Sequence, residues 1–107
     1  MALGKTVEHE TGIDIYYWNI NRIDIRRNND YVSIQVFGYI NENIYRAGKS
    51  NLIERVFIVN NDNGLLDEYF NSSNMVNNIY DIGYKYLKEN ESFFDGAVDI
   101  LEEGGTN

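Results

Sequence analysis

The stretch YRAGKS, residues 45–50, contains the glycine-lysine-serine triplet of the loops that bind nucleotide phosphates. Such a loop has the pattern G-x-x-x-x-G-K-[ST] and lies between a buried strand and a helix N-terminus, so that backbone N–H groups surround the phosphates. Counting back from Gly48, the first glycine of the pattern should fall at position 43, which is Asn43. The residues after Ser50 read NLIERVFIV, a β-branched run that predicts a strand where the loop needs a helix. We therefore interpret Gly48 as a turn residue, and the similar Gly4-Lys5 pair as part of a strand.

Side chains suited to hydrolysis are scarce in the chain. It has no cysteine, which excludes thiolate chemistry and cysteine-based metal sites, and its single histidine is His9. His9 lies between Glu8 and Glu10 in a predicted strand, which is more typical of a surface histidine than of a general base. Adjacent carboxylates such as Asp67 and Glu68 point apart on a helix and are not placed to share a proton. The sequence predicts no catalytic residue and no enzymatic activity.

The segment NNDNG, residues 60–64, has the residue types of a calcium-binding loop. With Gly64 as the sixth position of such a loop, the first and twelfth ligands would be Val59 and Phe70, and neither side chain can bind calcium. The sequence therefore predicts neither a metal site nor a bound cofactor.

Aromatic residues are the chemically prominent group, with nine tyrosines, five phenylalanines and one tryptophan. Tyrosine and tryptophan are enriched at protein interfaces because they combine a large apolar area with a polar group. The run Tyr16-Tyr17-Trp18 must place a large ring on each face of a strand, since successive side chains point to opposite faces. The residues that we expect to contact a protein partner are Tyr16, Trp18, Tyr31, Tyr39 and Tyr45.

A β-hairpin is predicted at the start of the chain, with strands at 4–10 and 13–18 joined at Thr11 and Gly12. Alternation in its second strand predicts Ile13, Ile15 and Tyr17 on one face, and Asp14, Tyr16 and Trp18 on the other.

A second hairpin is expected to turn at the NND of residues 28–30 and to continue into a strand at 31–40. Apolar side chains occur on both faces of that strand, so we expect a helix or a neighbouring subunit to cover the second face. One face consists of Val32, Ile34, Val36 and Ile40, and the other face carries Tyr31, Phe37 and Tyr39. Residues 41–51 are predicted to form a loop with a helical turn that ends near Gly48, followed by a strand at 53–59.

The clearest helix is predicted from an N-cap at Ser72 or Ser73 to Glu89. Residues 65–70 before it predict a short amphipathic turn packed under the sheet. Its own apolar stripe consists of Met75, Val76, Ile79, Ile82, Gly83, Tyr86 and Leu87. Four later residues, Phe93, Phe94, Val98 and Leu101, are expected to dock on the body of the protein.

These elements predict an α+β fold in which an antiparallel β-sheet of about five strands packs with one main C-terminal α-helix. Residues 1–101 are expected to form a single β-rich domain, and residues 102–107 a disordered acidic and glycine-rich tail.

The net charge of −8 makes general attraction to nucleic acid unfavourable, so no nucleic-acid partner is expected. The acidic residues near the C-terminus are typical of a solvated surface, with a DNA-mimicking surface as the alternative. No apolar run approaches the roughly 20 residues of a membrane span, so no membrane partner is expected.

Three parts of the sequence carry a family resemblance: the opening MALGKTVEHETGI, the middle with INRIDI, VSIQVFGYI and YRAGKSNL, and the ending NIYDIGYKYLKENESFFDGAVDIL. Together they resemble a family of small proteins from the tail modules of bacteriophages and prophages of Gram-positive bacteria. The resemblance covers nearly the whole chain. Its landmarks are the AGK segment before a strand, the YxYLK helix and the FxxAVD ending. Members of that family generally have no assigned function, so the resemblance implies no functional residues for this chain, and it implies that AGK is a structural landmark.

Two functions are compatible with these observations. The first is a virion or tail-associated structural or assembly protein that contacts other phage proteins, as a homo-oligomer in the virion. The alternative is a phage-encoded acidic inhibitor that binds and blocks a host defence protein in the bacterial cytoplasm.

Overall fold

The computed structural model describes residues 2–26, 31–61, 64–71, 73–74 and 78–101. The alternating apolar and polar residues between Ala2 and Asn60 form four of the strands of one β-sheet. The elements in chain order are β1 (Ala2–Glu8), β2 (Asp14–Arg26), β3 (Tyr31–Tyr39), α1 (Glu42–Arg46), β4 (Ile53–Asn60), α2 (Leu65–Tyr69), α3 (Ile79–Asn90), a 3₁₀ turn (Ser92–Phe94) and β5 (Val98–Ile100). The predicted turn at 28–30 and the predicted tail at 102–107 lie outside the described residues. Every other predicted element has a counterpart in the structure.

The five described strands form one sheet in the order β4-β3-β2-β1-β5, and each neighbouring pair is antiparallel. The prediction of an α+β fold with about five antiparallel strands and one main C-terminal helix is confirmed. The first hairpin turns through residues 9–13, where Gly12 has φ of 87° and the N–H of His9 donates to the carbonyl of Ile13. A positive φ carries no steric penalty for glycine, so this residue suits the turn.

The side chains of β2 depart from simple alternation. The pairing with β1 shifts between Gly4 and Val7, where the extra residue belongs to β1, and the pairing with β3 shifts between Ile20 and Arg22, beyond Trp18. Ile15 and Trp18 both lie in the main core, although the sequence predicted opposite faces for them. Tyr17 belongs to a second buried cluster instead of sharing a face with Ile15.

The main core lies between the sheet and α3. The helix buries Ile82, Gly83, Tyr86 and Leu87, which confirms the described part of the predicted apolar stripe. At Gly83 an added Cβ would lie 2.9 Å from Cδ1 of Ile20, so the absence of a side chain lets the helix approach β2 closely.

The predicted start of the main helix is wrong, because α3 begins at Ile79 and its N-cap is Asn78. The Asn78 side chain accepts a hydrogen bond from the N–H of Tyr80 at 2.8 Å, which satisfies one of the free donors of the first turn. Ser73 lies in a turn before this helix. Ser72, Met75 and Val76 lie outside the described residues.

The segment after α3 docks on the main core chiefly through Phe93 and Phe94. Phe94 is fully buried, and the rings of Phe93 and Phe94 lie edge-on to Trp18 at centroid distances of 5.1 and 5.7 Å. Val98 and Leu101, which were also expected to dock, are 53% and 77% exposed. That part of the prediction is wrong, because β5 pairs with β1 at the rim of the sheet, where Val98 remains accessible.

The other face of the sheet is partly covered by α1. Ala2, Tyr17 and Tyr39 form a small second cluster there, against which Ile44 and Tyr45 of α1 pack. The expectation that the second face of β3 is covered is therefore met near Tyr39 by α1 of the same chain. The far half of this face, toward β4, carries exposed side chains.

Candidate functional site

The YRAGKS stretch forms the C-terminal end of α1 and the loop that follows it. Gly48 has φ of 76°, and its N–H donates to the carbonyl of Tyr45, while the N–H of Lys49 donates to the carbonyl of Ile44. These bonds terminate a helix, and β4 follows after Ser50. A phosphate loop needs the opposite order, with the glycines before a helix N-terminus. The interpretation of Gly48 as a turn residue is confirmed.

His9 stabilises the first hairpin turn. Its Nδ1 lies 2.9 Å from the Oγ1 of Thr11 and accepts a hydrogen bond from the Thr11 N–H at 3.2 Å. This contact is local, between residues two positions apart. Within the described ranges, no three histidine, aspartate or glutamate side chains lie close enough together to hold a metal ion.

A polar cleft of about 440 Å³ lies between α2 and α3. Its described lining is Glu68, Tyr69, Asn74, Asn78, Asp81, Ile82, Lys85 and Glu89. The Tyr69 hydroxyl donates to Glu89 and accepts from Asn90, so these groups link the two helices. Burial raises the pKa of Tyr69, and the hydrogen bond to Glu89 raises it further. The arrangement is that of a packing contact between two helices, since the Tyr69 hydroxyl both donates to Glu89 and accepts from Asn90.

The aromatic residues predicted to contact a partner occupy three different environments. Trp18 is fully buried, and its indole N–H donates to the carbonyl of Lys5 at 2.8 Å, so it is a core residue. Tyr39 is 8% exposed, and its ring contacts the half-buried ring of Tyr45 at a centroid distance of 5.2 Å. Burial raises the pKa of Tyr39, with a smaller effect from Tyr45. Tyr31 is half-buried at the start of β3, and Tyr16 is 40% exposed. Trp18 and Tyr39 are therefore unavailable as surface anchors in this structure.

Tyr16 lies across Gly4 of the neighbouring strand. A Cβ on Gly4 would lie 2.5 Å from the Tyr16 hydroxyl and 3.1 Å from Cδ1 of Ile100, so the ring occupies the space that a side chain would need. Gly4 also pairs with Val98, whose side chain is 53% exposed. The Gly4 position thus has a packing role, and Tyr16 with Val98 forms a small exposed apolar area near β5.

A second exposed apolar area lies on β4, which sequence reasoning assigned only as a strand. Val56 and Ile58 are 52% and 50% exposed, and they lie two residues apart on the face opposite to α3. They are flanked on the same face by Glu54 and Asn60, and we call these four residues the outer row of β4. The signal that was missed is that β4 has apolar residues on both faces, as β3 does.

Polar side chains beside the outer row form a ladder across three strands. Asn21 on β2 donates to Gln35 on β3 at 2.7 Å, and Gln35 donates to Glu54 on β4 at 2.8 Å. The Gln35 amide accepts through its oxygen and donates through its nitrogen, so the ladder fixes the orientation of this side chain. Asp24 lies farther along β2, 3.7 Å from Arg22 and 3.8 Å from Arg26. The sheet face around Val56 and Ile58 is therefore ordered and mixed in polarity, as the rim of a protein interface is.

The outer edge of β4 is the second unusual feature of this strand. β4 pairs with β3 along its full length without a register shift, and no other described strand pairs with its opposite edge. Soluble proteins usually protect such edges with lysine, proline, a bulge or a covering element. The strand reads IERVFIVN and contains neither lysine nor proline. Its charged residues are Glu54 and Arg55, and an edge that no other described strand covers, next to exposed valine and isoleucine, is suited to pairing with another chain.

Comparisons with protein-family models, with curated protein sequences and with solved structures returned no match. None of the helices in the described ranges combines the length and the apolar character needed to cross a membrane.

Proposed function

We propose that this protein is a non-enzymatic protein that works by contact with other proteins, as a structural or assembly component of a bacteriophage tail. The observation that supports contact most directly is the outer row of β4, where Val56 and Ile58 are half-exposed beside an accessible strand edge. Exposed apolar side chains surrounded by an ordered polar rim are the usual composition of a protein interface. Tyr16 and Val98 offer a second, smaller area at the opposite side of the sheet.

The assignment to a phage tail comes from the resemblance of the three sequence segments to the tail-module proteins. The small size of the chain and its antiparallel sheet are compatible with a subunit that adds to a larger assembly.

The experiment for this proposal is mass spectrometry of purified particles from a phage or prophage that encodes the chain. The expected result is a stoichiometric copy number in intact particles. Replacing Val56 with a photo-crosslinking amino acid should then capture a neighbouring tail protein in the particle. The same replacement at Glu68, which lies on α2 away from the outer row, serves as the control. Absence of the protein from washed particles contradicts the tail assignment.

The alternative function, an acidic inhibitor of a host defence protein, is supported by the net charge of −8. A strongly negative surface associates rapidly with a basic groove, and that association weakens with salt. Expression early in infection, absence from particles and capture of one basic host protein by the tagged chain would favour this alternative over the tail assignment.

A further inference from the structure

The outer row of β4 reads the same in both directions in terms of polarity. Its order is acidic, apolar, apolar and polar amide, from Glu54 through Val56 and Ile58 to Asn60. In an antiparallel pair, the side chains of directly opposed residues lie on the same face and contact each other. A two-fold axis through Phe57 would therefore place Val56 against the partner's Ile58, and Glu54 against the partner's Asn60.

The same two-fold arrangement is acceptable for the charges of the strand. The Arg55 side chain lies on the α3 face, with its guanidinium 5.1 Å from the centre of the Phe93 ring. In the register centred on Phe57, Arg55 would face the partner's Val59, so no two like charges are directly opposed. Centring the pair on Arg55 would instead oppose two arginines, which is unfavourable. In the register centred on Phe57, the outer rows of the two strands are thus complementary. Four apolar side chains meet in the middle, and an acidic residue faces an amide at each end.

We propose that the outer edge of β4 is a homodimer interface, in which two copies of this chain pair antiparallel about Phe57 and join their sheets. The occupant is a second copy because the row is self-complementary about this axis, as an isologous two-fold contact requires. This inference rests on the proposed contact function and identifies one partner of that surface. The dimer is the smallest unit from which a symmetric tail assembly would be built.

A contact limited to one strand pair and its flanking side chains is small compared with stable dimers, which bury about 1,200–2,000 Å² in total. We therefore expect a concentration-dependent dimer with a dissociation constant on the order of 10–100 µM. Sedimentation velocity from micromolar to millimolar protein measures this constant directly.

Two double variants test the register. V56K/I58K places lysine opposite lysine twice across the axis and should weaken dimerisation at least about tenfold. This variant also carries less net negative charge, so general repulsion between copies decreases, and this decrease alone would strengthen dimerisation rather than weaken it. V56K/I58E instead places lysine opposite glutamate twice and should restore dimerisation to within a few-fold of the wild type. Pairing centred on Val56 would oppose two lysines in that variant and give no restoration.

The matched control is Val98→Lys, because Val98 is exposed to the same extent as Val56 and lies on the strand at the opposite edge of the sheet. It should leave the dissociation constant unchanged. Circular dichroism and the thermal midpoint check that each variant is folded, which is expected because Val56 and Ile58 are half-exposed.

Hydrogen exchange on the wild-type chain provides a measurement that needs no substitution. Amide exchange in residues 53–60 should slow at high protein concentration, while exchange in α3 is unchanged. A wild type that stays monomeric at millimolar concentration, a dimer insensitive to V56K/I58K, or a dimer lost in Val98→Lys overturns the inference. A monomeric chain that is still found in phage particles would refute only the dimer, whereas a dimer absent from particles would refute only the tail assignment.

Discussion

The hydroxyl group of Tyr84 forms a hydrogen bond between the main helix and the sheet. The N–H of Ile20 donates to the Tyr84 hydroxyl at 2.8 Å, directly before the register shift of β2. A backbone donor next to an irregularity in the ladder needs an acceptor from outside the sheet, and Tyr84 provides one from α3. Nothing in the sequence pattern distinguishes Tyr84 from the other tyrosines of this helix, because the bond depends on where β2 departs from regular pairing.

We expect Tyr84→Phe to lower the free energy of unfolding by about 1–3 kcal/mol, because the buried Ile20 N–H loses this acceptor. Tyr80→Phe is the matched control, since Tyr80 lies on the same helix and is 40% exposed; it should change stability by less than about 0.5 kcal/mol. Urea unfolding of both variants measures the difference. Equal effects of the two substitutions would show that the hydroxyl bond contributes nothing.

Tyr86 makes stability depend on alkaline pH. Burial raises the pKa of Tyr86 above its usual range, and the hydrogen bond to Glu91, 2.9 Å long, raises it further. The folded state therefore favours the neutral phenol. This contribution is complete below the usual tyrosine pKa near 10 and is lost as the pH rises above it toward the raised folded-state pKa.

We expect the free energy of unfolding to fall steeply above about pH 10, with Tyr86 contributing up to about 1.4 kcal/mol per pH unit. Tyr86→Phe should flatten the fall by that amount, while its stability at pH 7 changes separately through the lost bond to Glu91. Urea titrations of both proteins between about pH 8 and pH 11.5 measure the two slopes. Identical slopes would exclude Tyr86 as a source of the alkaline loss.

The elements themselves were largely predictable from hydrophobic spacing. Alternation located β3 and β4, and the spacing of Ile82, Tyr86 and Leu87 identified the buried face of α3. Spacing could not predict the register shifts on either side of β2, because they depend on pairing with two separate strands. Nor could it predict that Trp18, a candidate contact residue, lies in the core, because its burial depends on the packing of the distant Phe93 and Phe94.

The candidate surface was less predictable than the fold. The outer row of β4 became visible only when the strand order placed β4 at the edge of the sheet, and strand order depends on long-range pairing. The start of α3 also differed, because Asn78 and the earlier serines are all suitable caps and local sequence does not choose among them. Only Tyr16, Tyr31 and Tyr45 among the predicted contact residues keep accessible surface beyond a small fraction.

The short helix α1 depends on its cap. The Asn41 side chain accepts a hydrogen bond from the Ile44 N–H at 2.9 Å, and the helix has only five residues. A helix this short does not persist by propensity alone, so the cap and the packing of Tyr45 on Tyr17 hold it in place.

We expect Asn41→Ala to destabilise α1 by about 1 kcal/mol and to accelerate amide exchange in residues 42–46 roughly fivefold. Asn43→Ala is the control, because Asn43 is exposed inside the same helix and alanine is a better helix former. Hydrogen exchange monitored by NMR resolves the two outcomes. Unchanged exchange in Asn41→Ala would show that packing alone holds the helix.

For the molecule as a whole, charge opposes self-association while the β4 edge favours it. Each copy carries a net charge of −8, so two copies repel one another at low ionic strength. Salt screens this repulsion, with a screening length of about 8 Å at physiological ionic strength. In the proposed dimer, the apolar contact between Val56 and the partner's Ile58 would not be weakened by screening.

We therefore expect dimerisation to strengthen severalfold when sodium chloride is raised from about 50 mM to about 500 mM. Binding to a basic host protein would weaken over the same range, so self-association and host-protein binding have opposite salt dependence. Sedimentation at several salt concentrations measures the first, and calorimetry with a captured partner measures the second. A dimer that dissociates as salt rises would indicate that ion pairs hold it together.

The packing of the single tryptophan against Phe93 and Phe94 gives the protein a built-in optical probe. The indole is fully enclosed, and two of its walls are supplied by a segment more than seventy positions away in the chain. Release of that segment would admit water to the ring and shift its emission to longer wavelength while the sheet remained intact. Intrinsic fluorescence therefore reports whether the last aromatic residues are seated, separately from the circular dichroism signal of the strands.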